Sequence, residues 1–200
     1  LADGIGPKLA EKIVARFGQR TLDVIATESG RLLEISGVGR RRAEALAAAV
    51  RSRRGESETL AFLSSVGLGP SAARRVFGKY HDATPAVVRD DPYRVAEEVE
   101  GIGFQTADAI ARALGFADDD PRRAAGVVLH LVGKAADDGH VFAKREDIER
   151  GAETLRVPAS MTDQAMDELL GRGLIVVEDD AVYAPPLLSL IHISEPTRPY

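Results

Sequence analysis

The stretch GIGPKLAEKIVARFGQRTLDVIATESGRLLEISGVG, Gly4 to Gly39, returns further along the chain as GLGPSAARRVFGKYHDATPAVVRDDPYRVAEEVEGIG, Gly67 to Gly103, with one residue inserted. Each copy opens and closes on a glycine–apolar–glycine triplet. The four triplets are Gly4-Ile5-Gly6, Gly37-Val38-Gly39, Gly67-Leu68-Gly69 and Gly101-Ile102-Gly103, and their starts lie 33, 30 and 34 residues apart. Behind each triplet runs a one-faced helical pattern. Leu9, Ala10, Ile13, Val14 and Phe17 form the first, and Ala43, Leu46, Ala47 and Val50 the second. Ala72, Ala73, Val76 and Phe77 form the third, and Ala107, Ile110, Ala111 and Leu114 the fourth. Self-similarity at such a period marks a repeated supersecondary unit that buries its apolar face against a neighbour.

Each copy reads as hairpin, helix, turn, short helix, turn, short helix, hairpin. Thr84-Pro85 and Asp91-Pro92 place a capping side chain before proline at the first helical position, which is where proline's missing N–H costs nothing. The expected architecture is mainly α: a double helix-hairpin-helix unit over residues 1–55 and a second over 58–115. A further module over 120–187 starts at another cap and proline, Asp120-Pro121. Its first helix carries Ala124, Val127, Val128, Leu131 and Ala135, a second spans Glu146 to Leu155, and a third is expected to be capped by Thr162. Leu174 to Val177 and Ala181 to Tyr183 read as strands around the acidic turn Glu178-Asp179-Asp180. Helices followed by a small β-hairpin make this module winged-helix-like.

A glycine–apolar–glycine hairpin has a chemistry of its own. Glycine takes positive φ and lets another backbone come close. The apolar residue anchors the bend from inside, and the next helix adds unpaired N–H groups and the positive end of its dipole. The product is a small anion site that holds a phosphate without reading a base. Candidate contacts to a DNA backbone are therefore Gly4, Ile5, Gly6, Gly37, Val38, Gly39, Gly67, Gly69, Gly101 and Gly103. Basic residues at the hairpin exits join them: Lys8 and Lys12, then Arg40, Arg41 and Arg42, then Arg74 and Arg75, with Lys79 one turn on. Arg51, Arg53 and Arg54 extend the patch. The fourth hairpin is followed by Phe104, Gln105 and Asp108 instead and reads as more structural.

Charge is distributed accordingly. The chain has a net charge of −5, yet residues 1–90 hold 15 Lys/Arg against 10 Asp/Glu, and residues 91–187 hold 10 against 20. Phosphate contacts are expected in the first half, and the acidic second half suits a protein partner. The absence of cysteine excludes disulfides and thiolate metal sites and fits a cytoplasmic setting. His81, His130 and His140 lack metal-ligand spacing. No apolar run reaches the roughly 18 residues that span a bilayer. The first residue is Leu1 and not Met, so a targeting segment is left open. The final run from Leu188, LSLIHISEPTRPY with its His192, has no periodicity and reads as an adapter-derived, non-native tail over 188–200. The chain is accordingly expected to be a piece of a longer protein.

With these residues in view, the chain resembles the N-terminal region of the RecD-like (RecD/TraA) family of ATP-dependent DNA helicases. The segments that carry the resemblance are DPYRVAEEVEGIGFQTADAIARALG from Asp91 to Gly115 and GIGPKLAEKIVARFG from Gly4. DGHVFAKREDIERGAETL from Asp138 and GLIVVEDDAVYAPPL from Gly173 add to it. The resemblance implies a parent motor that hydrolyses ATP with Mg2+ and moves 5′→3′ on single-stranded DNA in repair or recombination. In that family the work is done by RecA-like motor domains downstream. No G-x-x-x-x-G-K-[ST] loop occurs in this sequence, so no nucleotide cofactor and no catalytic residue is assigned within it.

Two other readings compete. A hairpin-bearing binding or scaffold module of a nuclease, ligase or uptake protein shares the repeat, though not the segments after Asp91. A helix-hairpin-helix glycosylase needs a lysine nucleophile about where Gln105 stands, and Gln105 cannot serve as one.

Overall fold

The computed structural model describes residues 6–185. Gly4 and Ile5 of the first hairpin, and the run from Leu188, lie outside the described residues. Two compact units are present, residues 1–62 and 63–200, and the division falls inside a helix.

In the first unit, α1 spans Pro7–Phe17, a 3₁₀ turn Gly18–Arg20 follows, and α2 spans Thr21–Thr27. A second 3₁₀ segment, Ser29–Glu34, leads into the hairpin and then α3, Arg40–Ser65. α1 starts because Pro7 sits in its first turn after an extended Gly6. Ile13, Ile25, Leu32, Ile35, Val38 and Ala43 form the core, with Leu9, Phe17, Leu46 and Val50 packed on it. The apolar stripe read from the sequence is thus the buried face. Val14 is the exception, an exposed member of that stripe. α3 continues through Gly55, so positions 56–57 between the two sequence repeats are helical.

The second unit repeats the pattern: α4 Pro70–Tyr80, a 3₁₀ turn His81–Ala83, α5 Thr84–Asp90, α6 Pro92–Glu98 and α7 Phe104–Ala113. The correspondence extends to backbone angles. Phe17 and Tyr80 share φ −111° and ψ −11°. The residues after them, Gly18 and His81, leave their helices at φ 55°, ψ −130° and φ 47°, ψ −127°. One difference has a local cause. Asp91 accepts from the amides of Tyr93 and Arg94 ahead of Pro92 and launches an α-helix. Glu28 makes no such cap, and the first copy forms 3₁₀ structure there.

Two capping assignments need correction. Thr84 is the first residue of α5 and its hydroxyl donates back to the His81 carbonyl, 2.6 Å away. Thr162 lies inside a later helix, Ala159–Gly171, and its hydroxyl reaches the Pro158 carbonyl at 3.2 Å. A threonine hydroxyl can donate as well as accept, and here it pairs with a carbonyl three or four residues back.

After α7 come α8 Pro121–Asp137, β1 Ala143–Lys144, α9 Arg145–Thr154, α10 Ala159–Gly171, β2 Val176–Glu178 and β3 Ala181–Tyr183. The strands form an antiparallel sheet in the order β1-β3-β2. Val177 and Ala143 both pair with Val182, and Asp179 turns the hairpin at φ 53°. This is a winged-helix arrangement with Glu178–Ala181 as its wing. Its core is shared with the hairpin helices: Tyr93, Phe104, Ala107 and Ala111 pack with Val127, Val128, Ile148, Met166, Leu169, Ile175 and Val182.

A polar cluster crosses that core. Arg123, only 4% exposed, pairs with Asp108 at 2.9 Å and donates to the Leu155 carbonyl at 2.9 Å. The Tyr93 hydroxyl donates to the same Asp108 oxygen at 2.9 Å. Burial and the Asp108 carboxylate push the Tyr93 phenol well above its ordinary range. Tyr93 also explains Gly126: a Cβ there would stand 2.8 Å from the ring.

Candidate nucleic-acid interface

The three fully described hairpins follow one rule. The central residue is buried and the glycines around it are exposed: Val38, Leu68 and Ile102 are core residues, while Gly37, Gly39, Gly67, Gly69, Gly101 and Gly103 face solvent. The central amide is consumed by the preceding turn. Val38 donates to Ile35, Ile102 to Val99 and Leu68 to Leu63. The two glycines play different parts. Gly37, Gly67 and Gly101 have φ of 98°, 94° and 75°, which reverses the chain. Gly69 and Gly103 are extended N-caps at φ −65° and −91°, and Gly39 is not in the positive-φ region. The demand for positive φ thus falls on Gly37 and not on Gly39.

What remains free differs between hairpins. The first carbonyl-bonded amide of α3 is that of Ala43, which donates to Gly39. Among the described residues, the amides of Gly39, Arg40, Arg41 and Arg42 make no backbone hydrogen bond. In hairpins one and three Pro7 and Pro70 stand at the first helical position and supply no N–H. The second hairpin is thus the best furnished anion site, with four amides at the start of a 26-residue helix.

The basic side chains separate into two groups. Lys8, Lys12, Arg41, Arg53 and Arg74 are exposed and have no ion-pair or hydrogen-bond partner among the described residues. Others are engaged. Arg42 donates to the Gly37 carbonyl at 2.9 Å, tying helix to bend. Arg75 donates to the Gly101 carbonyl at 3.3 Å and to Ser71, so it braces the fourth hairpin from α4. Arg40 pairs with Glu44 at 3.4 Å in full solvent, a contact of little strength. Arg51 reaches the Ala26 carbonyl, and Arg54 bridges Asp23 and Glu58. The Arg54 guanidinium is held more firmly protonated by those carboxylates, Glu58 foremost. The hydrogen bond from Arg16 holds the Glu34 carboxyl below its usual range. Arg40–Glu44, Arg54–Glu58 and Arg75–Ser71 follow from helical i,i+4 spacing, whereas Arg16–Glu34, Arg51–Ala26, Arg54–Asp23 and Arg75–Gly101 join residues that only the turns bring together.

No group of His, Asp and Glu among the described residues is placed to hold a metal ion. No helix among them is long and apolar enough to cross a membrane.

Comparison with known proteins agrees with this geometry. Residues 2–52 match the family described as SAM-like helix-hairpin-helix tandem. Residues 52–142 match the helix-hairpin-helix domain of ATP-dependent RecD2 DNA helicase. The chain is also similar to the ATP-dependent RecD2 DNA helicase of Deinococcus radiodurans, with 31% identity over 186 residues, 90% of this chain. That alignment spans 26% of the relative, so the chain corresponds to about a quarter of its length. Two matched hairpin segments, a relative aligned along nearly the whole chain and the hairpin geometry converge on one assignment: this is a RecD-like helix-hairpin-helix region.

Proposed function

We propose that the chain is the sequence-independent DNA-binding accessory region of an ATP-dependent DNA helicase. The second hairpin carries this reading. It combines a buried Val38, exposed Gly37 and Gly39, four amides without carbonyl partners and the unpaired Arg41. Such a site holds backbone phosphate and ignores base identity. Lys8, Lys12 and Arg74, without a partner among the described residues, add charge at two further hairpin exits. We assign residues 1–55 and 58–115 as the two double hairpin units and 120–187 as the winged-helix module that faces motor domains or a protein partner.

The parent motor is proposed to hydrolyse ATP with Mg2+, to move 5′→3′ on single-stranded DNA, and to act in repair or recombination in the cytoplasm. The residues present here do not suit ATP. The chain has no G-x-x-x-x-G-K-[ST] loop, and each of the three described Gly-apolar-Gly bends turns its central residue, Val38, Leu68 or Ile102, into the core. ATP and Mg2+ are thus assigned to RecA-like domains outside this region.

Fluorescence anisotropy with a labelled duplex of random sequence tests the assignment. Lys8→Glu combined with Arg41→Glu is expected to weaken binding at least tenfold, alike on unrelated sequences. Unchanged affinity would remove the hairpins from the interface. A scaffold reading, in which the hairpins only pack, is favoured by the bracing of hairpin four by Arg75; it predicts no DNA binding by the unaltered chain.

A further inference from the structure

The winged-helix module has a face that the DNA-binding reading leaves unused. α10, from Ala159 to Gly171, contains no lysine or arginine, and its Asp163 reaches Arg145 at the start of α9, beside the wing. The wing exposes Glu178, Asp179 and Asp180 in sequence, and none of the three has an ion-pair partner among the described residues. Three adjacent unpaired carboxylates repel a polyanion and each other. Phosphate is therefore an unsuitable partner for this side of the molecule.

The same face is not purely polar. Phe142, 41% exposed, forms a ridge with clefts on both sides. One cleft, about 750 Å³, runs between α9 and the wing, lined by Glu146, Glu149 and the wing carboxylates, with Tyr183 tilted against Phe142 at 5.7 Å. The other, about 500 Å³, is floored by Leu131, Ala143 and Ile148 beside Val141, itself 45% exposed. Arg145 also lines the first cleft, but its charge is taken up by Asp163 at 2.9 Å and Glu149 at 4.0 Å. Two lysines also line it, Lys144 in both clefts and Lys134 in the second, and there they face Asp138 and Asp147, so the excess of carboxylate lies in the first cleft, at the wing. Exposed apolar side chains bordered by carboxylates of one sign specify a ligand that is apolar and cationic at once.

We infer that this groove docks an extended basic peptide segment of a partner protein, seating an aliphatic side chain against Phe142 and arginine or lysine at the wing. The shape fits a linear segment, because one ridge with a cleft on either side accepts alternate side chains of an extended strand. Guanidinium groups pair well with clustered carboxylates. The inference deepens the proposed division between a DNA-facing and a protein-facing half, and its readout is separate from DNA binding.

The test uses the full chain and a fluorescein-labelled decapeptide of alternating arginine and leucine, with an alternating glutamate–leucine decapeptide as control. The arginine peptide is expected to bind and the glutamate peptide not. Phe142→Ala, and separately Asp179→Asn with Asp180→Asn, should each weaken binding about tenfold. Asp118→Asn with Asp119→Asn removes the same charge away from the groove and should leave affinity within twofold. DNA affinity should be unaffected by the groove variants. No binding of the arginine peptide overturns the inference, and so do equal losses in all charge variants, which would mean diffuse attraction. Loss of DNA binding on Phe142→Ala would make the face a nucleic-acid contact instead. Loss of DNA binding in Lys8→Glu with Arg41→Glu, with peptide binding retained, separates the two halves.

Discussion

Arg123 shows at the scale of one residue how a charge survives inside an apolar core. It sits in α8 among Ala124, Ala125, Val127 and Val128, and its guanidinium is spent on Asp108 and on the Leu155 carbonyl. Replacing Asp108 with alanine strands a buried cation and a phenol, and is expected to destabilise the fold by about 3–5 kcal/mol. The paired change Asp108→Leu with Arg123→Met should recover most of that loss, because it removes both charges. Urea unfolding of the two variants decides between them: equal losses would show that the ion pair itself stabilises the core. His81 is the opposite case, a strained residue on the surface. It occupies φ 47°, ψ −127°, where the first copy of the repeat has glycine. His81→Gly should therefore raise stability by about 1 kcal/mol, since relief of backbone strain exceeds the added entropy of the unfolded chain. A fall in the thermal midpoint would mean that the edge contact between His81 and Phe77 outweighs the strain.

At the scale of elements, the hairpin separates two roles that the triplet hides. Gly37 reverses the chain at φ 98°, whereas Gly39 caps α3 and a Cβ there would meet nothing within 4 Å. Gly37→Val is expected to lower stability by about 1–3 kcal/mol and to weaken DNA binding with it. Gly39→Ala should leave the urea midpoint nearly unchanged, so any loss of DNA affinity in that variant reports crowding at the phosphate. If Gly39→Ala unfolds as readily as Gly37→Val, the division of roles is wrong. Sequence was most informative where the signal is local. Glycines flanking one apolar residue, and the aspartates Asp91 and Asp120 before proline, are used as their spacing implies. It was least informative where a group has two possible partners or an element is very short. Thr84 and Thr162 donate where acceptance was expected. β1 has two residues, Ala143 and Lys144, too few to show alternation. The cations of the candidate interface were legible as a cluster, but which of them are engaged depends in part on turns that bring Asp23, Ala26 and Gly101 into reach of Arg54, Arg51 and Arg75.

Across the whole molecule, the charge split becomes a statement about salt. Binding to duplex releases counterions, and log affinity falls against log salt with a slope near −0.9 for each neutralised phosphate. Lys8, Lys12, Arg41 and Arg74 have no partner among the described residues, so a slope of roughly −3 to −4 is expected between 50 and 200 mM salt. Arg41→Gln should reduce the magnitude of that slope by about 1, alike for every sequence tested. Arg16→Gln is the matched comparison, because Arg16 is equally cationic but already holds Glu34 at 2.9 Å. The salt slope counts cations that neutralise phosphate, and a guanidinium already engaged with a carboxylate is not free to do so, so this variant should keep the wild-type slope. Anisotropy titrations at four salt concentrations measure both. Equal changes in the two variants would mean that total charge, and not the unpaired cations of the hairpins, governs attraction to DNA. A reduced slope in Arg41→Gln alone would tie the phosphate contact to the second hairpin, where the free amides of Gly39 to Arg42 lie beside that side chain.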